Sequence, residues 1–152
     1  MKINNLQNSI FLTTILTLIV SVAHAKGGVN LKGVPALITS TYIFALIFAG
    51  VFLLLAAIVS NAIKFQGGEN PRDAFKRRMW FWIFAILGPV SFFIYNILMV
   101  IPTIKKGPAV AKFGVTHIIG TAVILVVYIL IGFILSKVMK KGKIGNWFPS
   151  KN

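Results

Sequence analysis

The stretch ALITSTYIFALIFAGVFLLLAAIVSNAI, residues 36–63, contains no charged side chain. An α-helix of this length is on the order of 40 Å long, which exceeds the roughly 30 Å thickness of a bilayer's hydrocarbon core. Two further apolar runs, 79–101 and 116–138, have interiors that are equally free of charge. The sequence therefore predicts an all-α integral membrane protein with three transmembrane helices over these ranges.

The N-terminal segment has the layout of a secretory signal peptide. A short polar start leads into the apolar run Ser9–Val22, which is too short to span a bilayer. The tripeptide Ala-His-Ala at 23–25 then matches the small-x-small cleavage pattern. We expect a signal peptide at 1–25 and a single three-helix membrane domain at 26–152. An uncleaved signal anchor is the alternative, and it gives the following segment the same outer location.

The link between the first two apolar runs contains signals that end one helix and start another. Gly67 and Gly68 suit a helix C-terminus, because glycine adopts the left-handed conformation that often closes a helix. Pro71 suits the first turn of the next helix, and Asp73 complements the positive end of its dipole. A second helix is therefore expected to begin near Pro71, ahead of its entry into the bilayer.

Basic residues are unevenly distributed between the links. The chain has 16 Lys and Arg against two acidic residues, and five of the cations fall in the 64–78 link. Five more lie in the tail after residue 136, whereas the 102–115 link has three. Since cytoplasmic loops carry the excess of Lys and Arg, we expect the first link and the C-terminus inside. The signal peptide independently predicts this orientation, that of a multi-pass bacterial inner-membrane protein with a periplasmic N-terminus.

The start of the second helix combines cations with aromatic residues: Lys76, Arg77 and Arg78 precede Trp80 and Trp82. Cations at the membrane interface bind anionic headgroups, and tryptophan is enriched in the aromatic belt. We therefore predict binding of anionic phospholipid at these five residues, with a plain inside-topology signal as the alternative. Because the basic residues flank apolar runs, we do not expect direct nucleic-acid binding from the net charge of +14.

Five other residues inside the spans predict helix packing. Asn96 is an amide that needs a hydrogen-bond partner in hydrocarbon, with Tyr95 beside it, and Pro89 should free a carbonyl one turn earlier. Gly132 and Ser136, four residues apart, allow a second helix to approach closely. We expect these residues to serve packing within the chain or at a subunit contact, in a homo-oligomer or a larger membrane complex.

The spans lack the groups that most membrane chemistry requires. Their interiors contain no Asp, Glu, Lys or Arg, although proton relays and ion-coupled motors need an ionisable group there. The chain has no Cys, and His117 is the one His expected in the mature protein, so no metal or other cofactor and no catalytic site is expected. We expect His117 to lie near the outer membrane interface, hydrogen-bonded to neighbours or water.

The first link and the start of the second helix carry a family resemblance. The segment KFQGGENP at 64–71, followed by Trp80-Phe81, resembles the TraE-type small membrane proteins of Bacteroidetes conjugation systems, relatives of the VirB-type conjugative pilins. The residues that match the family motif are Lys64, Phe65, Gly68, Glu69, Pro71, Trp80 and Phe81. The resemblance implies a hairpin subunit that packs helically with its copies and with phospholipid. The third span has no counterpart in the two-helix pilins.

These patterns favour a non-enzymatic, pilin-like structural subunit of an inner-membrane secretion or conjugation assembly, self-associating together with lipid. Whether it stays in the membrane or enters a filament at the cell surface is left open. The alternative is a small oligomeric channel or transporter subunit whose path is lined by Pro89, Tyr95 and Asn96. A membrane-perturbing, holin-like protein is a third reading, against which the cleavable signal argues.

Overall fold

The computed structural model describes residues 33–64, 71–104, 107–140 and 142–148. Three long helices dominate: α1 (Val34–Ala62), α2 (Pro71–Tyr95) and α3 (Gly107–Val138). A π-helical turn (Asn96–Val100) and a 3-10 turn (Ile101–Thr103) continue α2, and a second 3-10 turn (Ile144–Trp147) follows α3. All three helices are long and apolar enough to cross a membrane, and the fold class is all-α as predicted. The predicted signal peptide lies outside the described residues.

Each long helix begins with a proline in its first two positions. Pro35 is the second residue of α1, Pro71 the first of α2 and Pro108 the second of α3. The first N–H groups of a helix have no intrahelical acceptor, so the missing N–H of proline costs nothing there and its fixed φ favours the helix. The predicted start at Pro71 is confirmed, whereas α3 begins at Gly107, ahead of the 116–138 range that the apolar run gave.

Successive helices run antiparallel, since Phe44 contacts Tyr95 and Phe52 contacts Phe84, and all three helices contact one another. Phenylalanine rings of one helix lie on glycines of the next in three pairs: Phe52 with Gly88, Phe92 with Gly120, and Phe81 with Gly132. At the tightest, a Cβ added to Gly132 would lie 2.5 Å from Cε2 of Phe81. The absence of a side chain at these positions therefore determines how closely α2 approaches its two neighbours.

Most of the helical surface faces away from the bundle. Within the most apolar part of each helix only 33%, 22% and 22% of the residues of α1, α2 and α3 are buried. Large apolar side chains such as Leu54, Ile86 and Val126 are exposed on the three helices in turn. Exposed apolar surface of this extent is unfavourable in water, so it requires lipid or other apolar partners.

Candidate membrane-interface site

The C-terminus of α1 is capped by an arginine from α2. The guanidinium of Arg77 donates to the carbonyl oxygen of Ile63 at 3.4 Å and to that of Lys64. Its side chain is only 1% exposed. Ile63 is the extended residue that ends α1 and Lys64 follows it, so both carbonyls have left the helical hydrogen-bonding pattern and need another donor. Arg77 thus joins α1 and α2 where the chain reverses direction.

The tail after α3 folds back onto the same end of the bundle. Trp147 is fully buried, and its Nε1 donates to Oγ of Ser60 at 2.7 Å. Lys143 donates through Nζ to the carbonyl of Asn61, which adds a second cation at the C-terminus of α1. Ser136 donates to the carbonyl of Gly145 at 3.0 Å. The tail therefore bonds both to α1 and to the end of α3.

Phe81 of α2 lies at the centre of an aromatic cluster that joins these elements. Its ring stacks on Trp147 at 4.8 Å between centroids and contacts Tyr128 at 4.9 Å and Phe148 at 5.3 Å. The hydroxyl of Tyr128 donates to the carbonyl of Phe81 at 2.9 Å. Gly132 leaves the space for the Phe81 ring on α3. We call this end of the bundle, with its Arg77 cap and folded tail, the basic end.

The outward surface of the basic end combines cations with apolar side chains. Lys76, Trp80 and Trp82 are exposed, and Arg78 is half-buried. A shallow groove beside them is lined by Arg72, Phe75, Lys76 and Met79, and Phe75 is 64% exposed. This surface places positive charge next to apolar area at the expected membrane interface. An anionic phospholipid has the complementary features, a negative headgroup beside apolar acyl chains.

The structure separates the five residues predicted to bind lipid. Lys76, Trp80 and Trp82 are exposed, and Arg78 is half-buried. Arg77 is buried against the residues that end α1. The physical reason is that the helix places Arg77 on the inward face, where unsatisfied carbonyls compete for it. The role of all five residues in lipid binding stays a prediction.

The five predicted packing residues lie between helices of one chain. Gly132 receives the Phe81 ring, Ser136 bonds to the tail, and Pro89 is buried within α2. Asn96 is 1% exposed, and its Nδ2 donates to the carbonyl of Phe92 in its own helix at 2.8 Å. Tyr95 is half-buried against aromatic rings of α1. Their contacts are therefore intramolecular, and a role at a subunit contact stays a prediction.

His117 is buried in the half of the bundle opposite the basic end. It is 7% exposed, and its ring lies 4.9 Å from Phe93 and 6.2 Å from Phe113. Neither ring nitrogen has a hydrogen-bond partner within the described parts of the chain. The expected hydrogen bond to a neighbouring protein group is therefore not formed there.

Sequence reasoning did not assign a structural contact to Trp147, Ser60 or Lys143, and Lys143 served only in the prediction of orientation. The available signals were a Trp-Phe pair after a basic tail and a Ser-Asn pair at the end of an apolar run. Either pattern is also typical of a membrane interface, so neither identified its partner 87 residues away.

The chain was compared with family models, curated proteins and solved structures, and none of the three comparisons gave a match.

Proposed function

We propose that this protein is a non-enzymatic structural subunit of a bacterial inner-membrane assembly of the secretion or conjugation kind. The observation that carries the proposal is the apolar outer surface of all three helices, most of which the bundle leaves uncovered. Such a surface needs lipid, other subunits or both. The basic end supports the same role, because an end closed by its own side chains gives the subunit one defined shape.

Proximity between subunits tests self-association. The chain has no cysteine, so single cysteines can be introduced without background. We compare one exposed position on each helix with the buried Ala56 as control. The exposed positions are Leu54, Ile86 and Val126. In native membranes we expect cross-linked dimers from one or two helix faces and none from Ala56→Cys. Self-association would be contradicted by two results together: only trace cross-linking, equal at every exposed position, and a monomeric protein in native nanodiscs.

The proposed orientation places the basic end in the cytoplasm. Its support is the excess of Lys and Arg there, including Lys64, Lys76 and Lys143. The exposed residues Lys76 and Lys112 lie at opposite ends of the bundle and make a matched pair. A membrane-impermeant maleimide applied to intact spheroplasts should label Lys112→Cys and leave Lys76→Cys unlabelled. The reverse result would invert the topology.

The accessible part of the basic end is proposed to bind anionic phospholipid. The cations Arg72 and Lys76 flank the apolar Phe75 and Met79, so a phosphate and the start of an acyl chain would both find partners in the groove. In nanodiscs of mixed phosphatidylglycerol and phosphatidylcholine, we expect Lys76→Gln to lower the enrichment of phosphatidylglycerol around the protein. Lys112→Gln, which removes an exposed cation at the other end, is the control. Equal enrichment in both variants would remove the groove from the proposal.

The alternative is a channel or transporter subunit. It is favoured by a cavity of about 30 Å³ between α1 and the π-helical turn, which is lined in part by Tyr95 and Asn96. This volume admits no more than one or two waters, so a conducting path would require the helices to separate or further copies to contribute. Ion or solute flux into proteoliposomes above that of protein-free vesicles, and lost in Asn96→Leu, would favour this alternative.

A further inference from the structure

The cavity between α1 and the π-helical turn is notable for its polar lining. Five of its residues carry hydroxyl or amide groups: Ser40, Thr41, Tyr95, Asn96 and Thr103. An apolar cavity of similar size stays empty, whereas a cavity with several polar groups holds water if it offers at least about 10–15 Å³. At about 30 Å³ this partly open cavity is large enough for a water molecule.

The hydrogen-bonding capacity of the lining residues is only partly used. Thr41 donates its hydroxyl to the carbonyl of Leu37 at 2.8 Å, and Thr103 donates to Val100 at 2.7 Å. Since each hydroxyl has a single hydrogen, both oxygens keep lone pairs that accept but have nothing left to donate. These two hydroxyls therefore present acceptors to the cavity.

Asn96 adds both an acceptor and a donor. One hydrogen of its Nδ2 goes to the carbonyl of Phe92, which leaves the second hydrogen and the Oδ1 oxygen. No described residue donates to that oxygen, and the oxygen keeps some surface that a water molecule can reach. An amide oxygen that lacks a donor inside a protein is unfavourable. This gives the cavity a physical reason to be filled.

The backbone at the cavity departs from regular α-helix. Asn96–Val100 forms a π-helical turn, and the N–H of Ile101 bonds to the carbonyl of Asn96 five residues earlier. A π turn widens the helix and occurs frequently at functional sites. Here the widening coincides with the polar lining, so the space and the unsatisfied groups occur together.

We propose that this cavity is a binding site for a single water molecule that bridges α1 and α2. The water would donate to Oγ1 of Thr41 and Oδ1 of Asn96 and would accept from the remaining hydrogen of the Asn96 amide. A sodium ion is the less suitable guest, because no acidic side chain lines the cavity to offset its charge in a low-dielectric region. The site is independent of the proposed structural role, since it concerns how one subunit holds two helices together.

The test is water-edited solid-state NMR of the full chain in phosphatidylglycerol–phosphatidylcholine vesicles. Polarisation transferred from water should reach the Asn96 side-chain amide severalfold faster than it reaches the backbone of Thr121. Thr121 is a suitable control because its hydroxyl makes the same kind of own-helix bond, to His117 at 2.8 Å, and it does not line the cavity. If polarisation from water reaches Asn96 no faster than it reaches Thr121, the proposal is wrong.

A matched pair of variants locates the water. Thr41→Val removes one acceptor at nearly constant volume and should slow the transfer to Asn96 severalfold, whereas Thr121→Val should leave it unchanged. The same slowing in both variants would overturn the assignment. Exchange of sodium for choline in the buffer should have no effect on the Asn96 signal, and a sodium-dependent chemical shift there would overturn water in favour of a cation.

Discussion

The two ends of the bundle are held together in different ways. At the basic end, side chains of one element bond to another: Arg77 to the end of α1, and Trp147 and Lys143 of the tail to Ser60 and Asn61. At the opposite end, the hydrogen bonds of Thr41, Asn96 and Thr121 stay within their own helices. There the helices meet through the apolar cluster of Val34, Leu37, Ile104, Ala109 and Phe113.

This difference matters because the surroundings of the bundle are apolar. When lipid already covers apolar side chains, burial against another helix adds little free energy, and packing and polar bonds decide the geometry. We therefore expect the basic end to fix how the three helices are arranged. The opposite end, with its π-helical turn and polar cavity, should tolerate more adjustment.

The largest effect is expected from removing the indole of the tail. Trp147→Ala deletes a fully buried aromatic side chain, which typically lowers the free energy of unfolding by about 3–5 kcal/mol. The loss also frees the tail, so trypsin should cut after Lys143 much faster than in the wild type. Trp80→Ala, an exposed tryptophan at the same end, is the control and should leave both quantities nearly unchanged. Equal behaviour of the two variants would mean that the tail does not hold the basic end together.

Arg77→Met should have the next largest effect. The methionine keeps most of the apolar stem but leaves the carbonyls of Ile63 and Lys64 without their donor, which should cost about 2 kcal/mol of unfolding free energy. Arg77→Lys should recover part of the loss, because an ammonium supplies charge without the forked geometry of a guanidinium.

The control for Arg77 is its neighbour Arg78, which is half-buried and does not bond to the end of α1 in the described residues. SDS-induced unfolding in mixed micelles measures all three variants against wild type. If Arg78→Met destabilises the protein as much as Arg77→Met, the effect is a general loss of charge and the cap has no special part in it.

Smaller effects on stability, of opposite sign, are expected from substituting two glycines. Gly132→Ala places a Cβ 2.5 Å from the Phe81 ring and should destabilise the bundle by about 1–3 kcal/mol through overpacking. Gly50→Ala meets no heavy atom within 4 Å and should stabilise α1 by about 0.5–1 kcal/mol through helix propensity. Thermal unfolding in detergent distinguishes the two. Destabilisation by Gly50→Ala in native membranes but not in detergent would indicate a neighbouring subunit at that face.

The sequence was sufficient for the three long helices of the described residues and for the start of α2, because these depend on local features. Uncharged runs of bilayer length predict spans, and Pro71 marks the start of α2 wherever the rest of the chain lies. The early start of α3 at Gly107 was missed because the apolar run indicates only the part in lipid. The helix itself continues for as long as its backbone bonds can form.

The arrangement of the basic end could not be predicted in the same way. A cation at a membrane interface ordinarily faces headgroups, and the sequence does not show that the α1 carbonyls and the inward face of α2 meet at Arg77. Trp147 and Ser60 are 87 positions apart, so their contact depends on the three helices having already packed. Positions of this kind require the tertiary structure, because no local pattern distinguishes a buried indole from one in the aromatic belt.

The smallest changes in unfolding free energy should distinguish a hydrogen bond between two elements from a hydrogen bond within one helix. Ser60→Ala leaves the Nε1–H of Trp147 buried without its acceptor, and such a loss costs about 1–2 kcal/mol. Thr121→Val removes a hydroxyl that bonds only to a carbonyl of its own helix, and that carbonyl keeps its helical N–H, so the change should stay within about 0.5 kcal/mol. SDS-induced unfolding of both variants measures the difference. If Thr121→Val proves as costly as Ser60→Ala, own-helix bonds stabilise the opposite end as strongly as tail bonds stabilise the basic end, and the distinction between the two ends disappears.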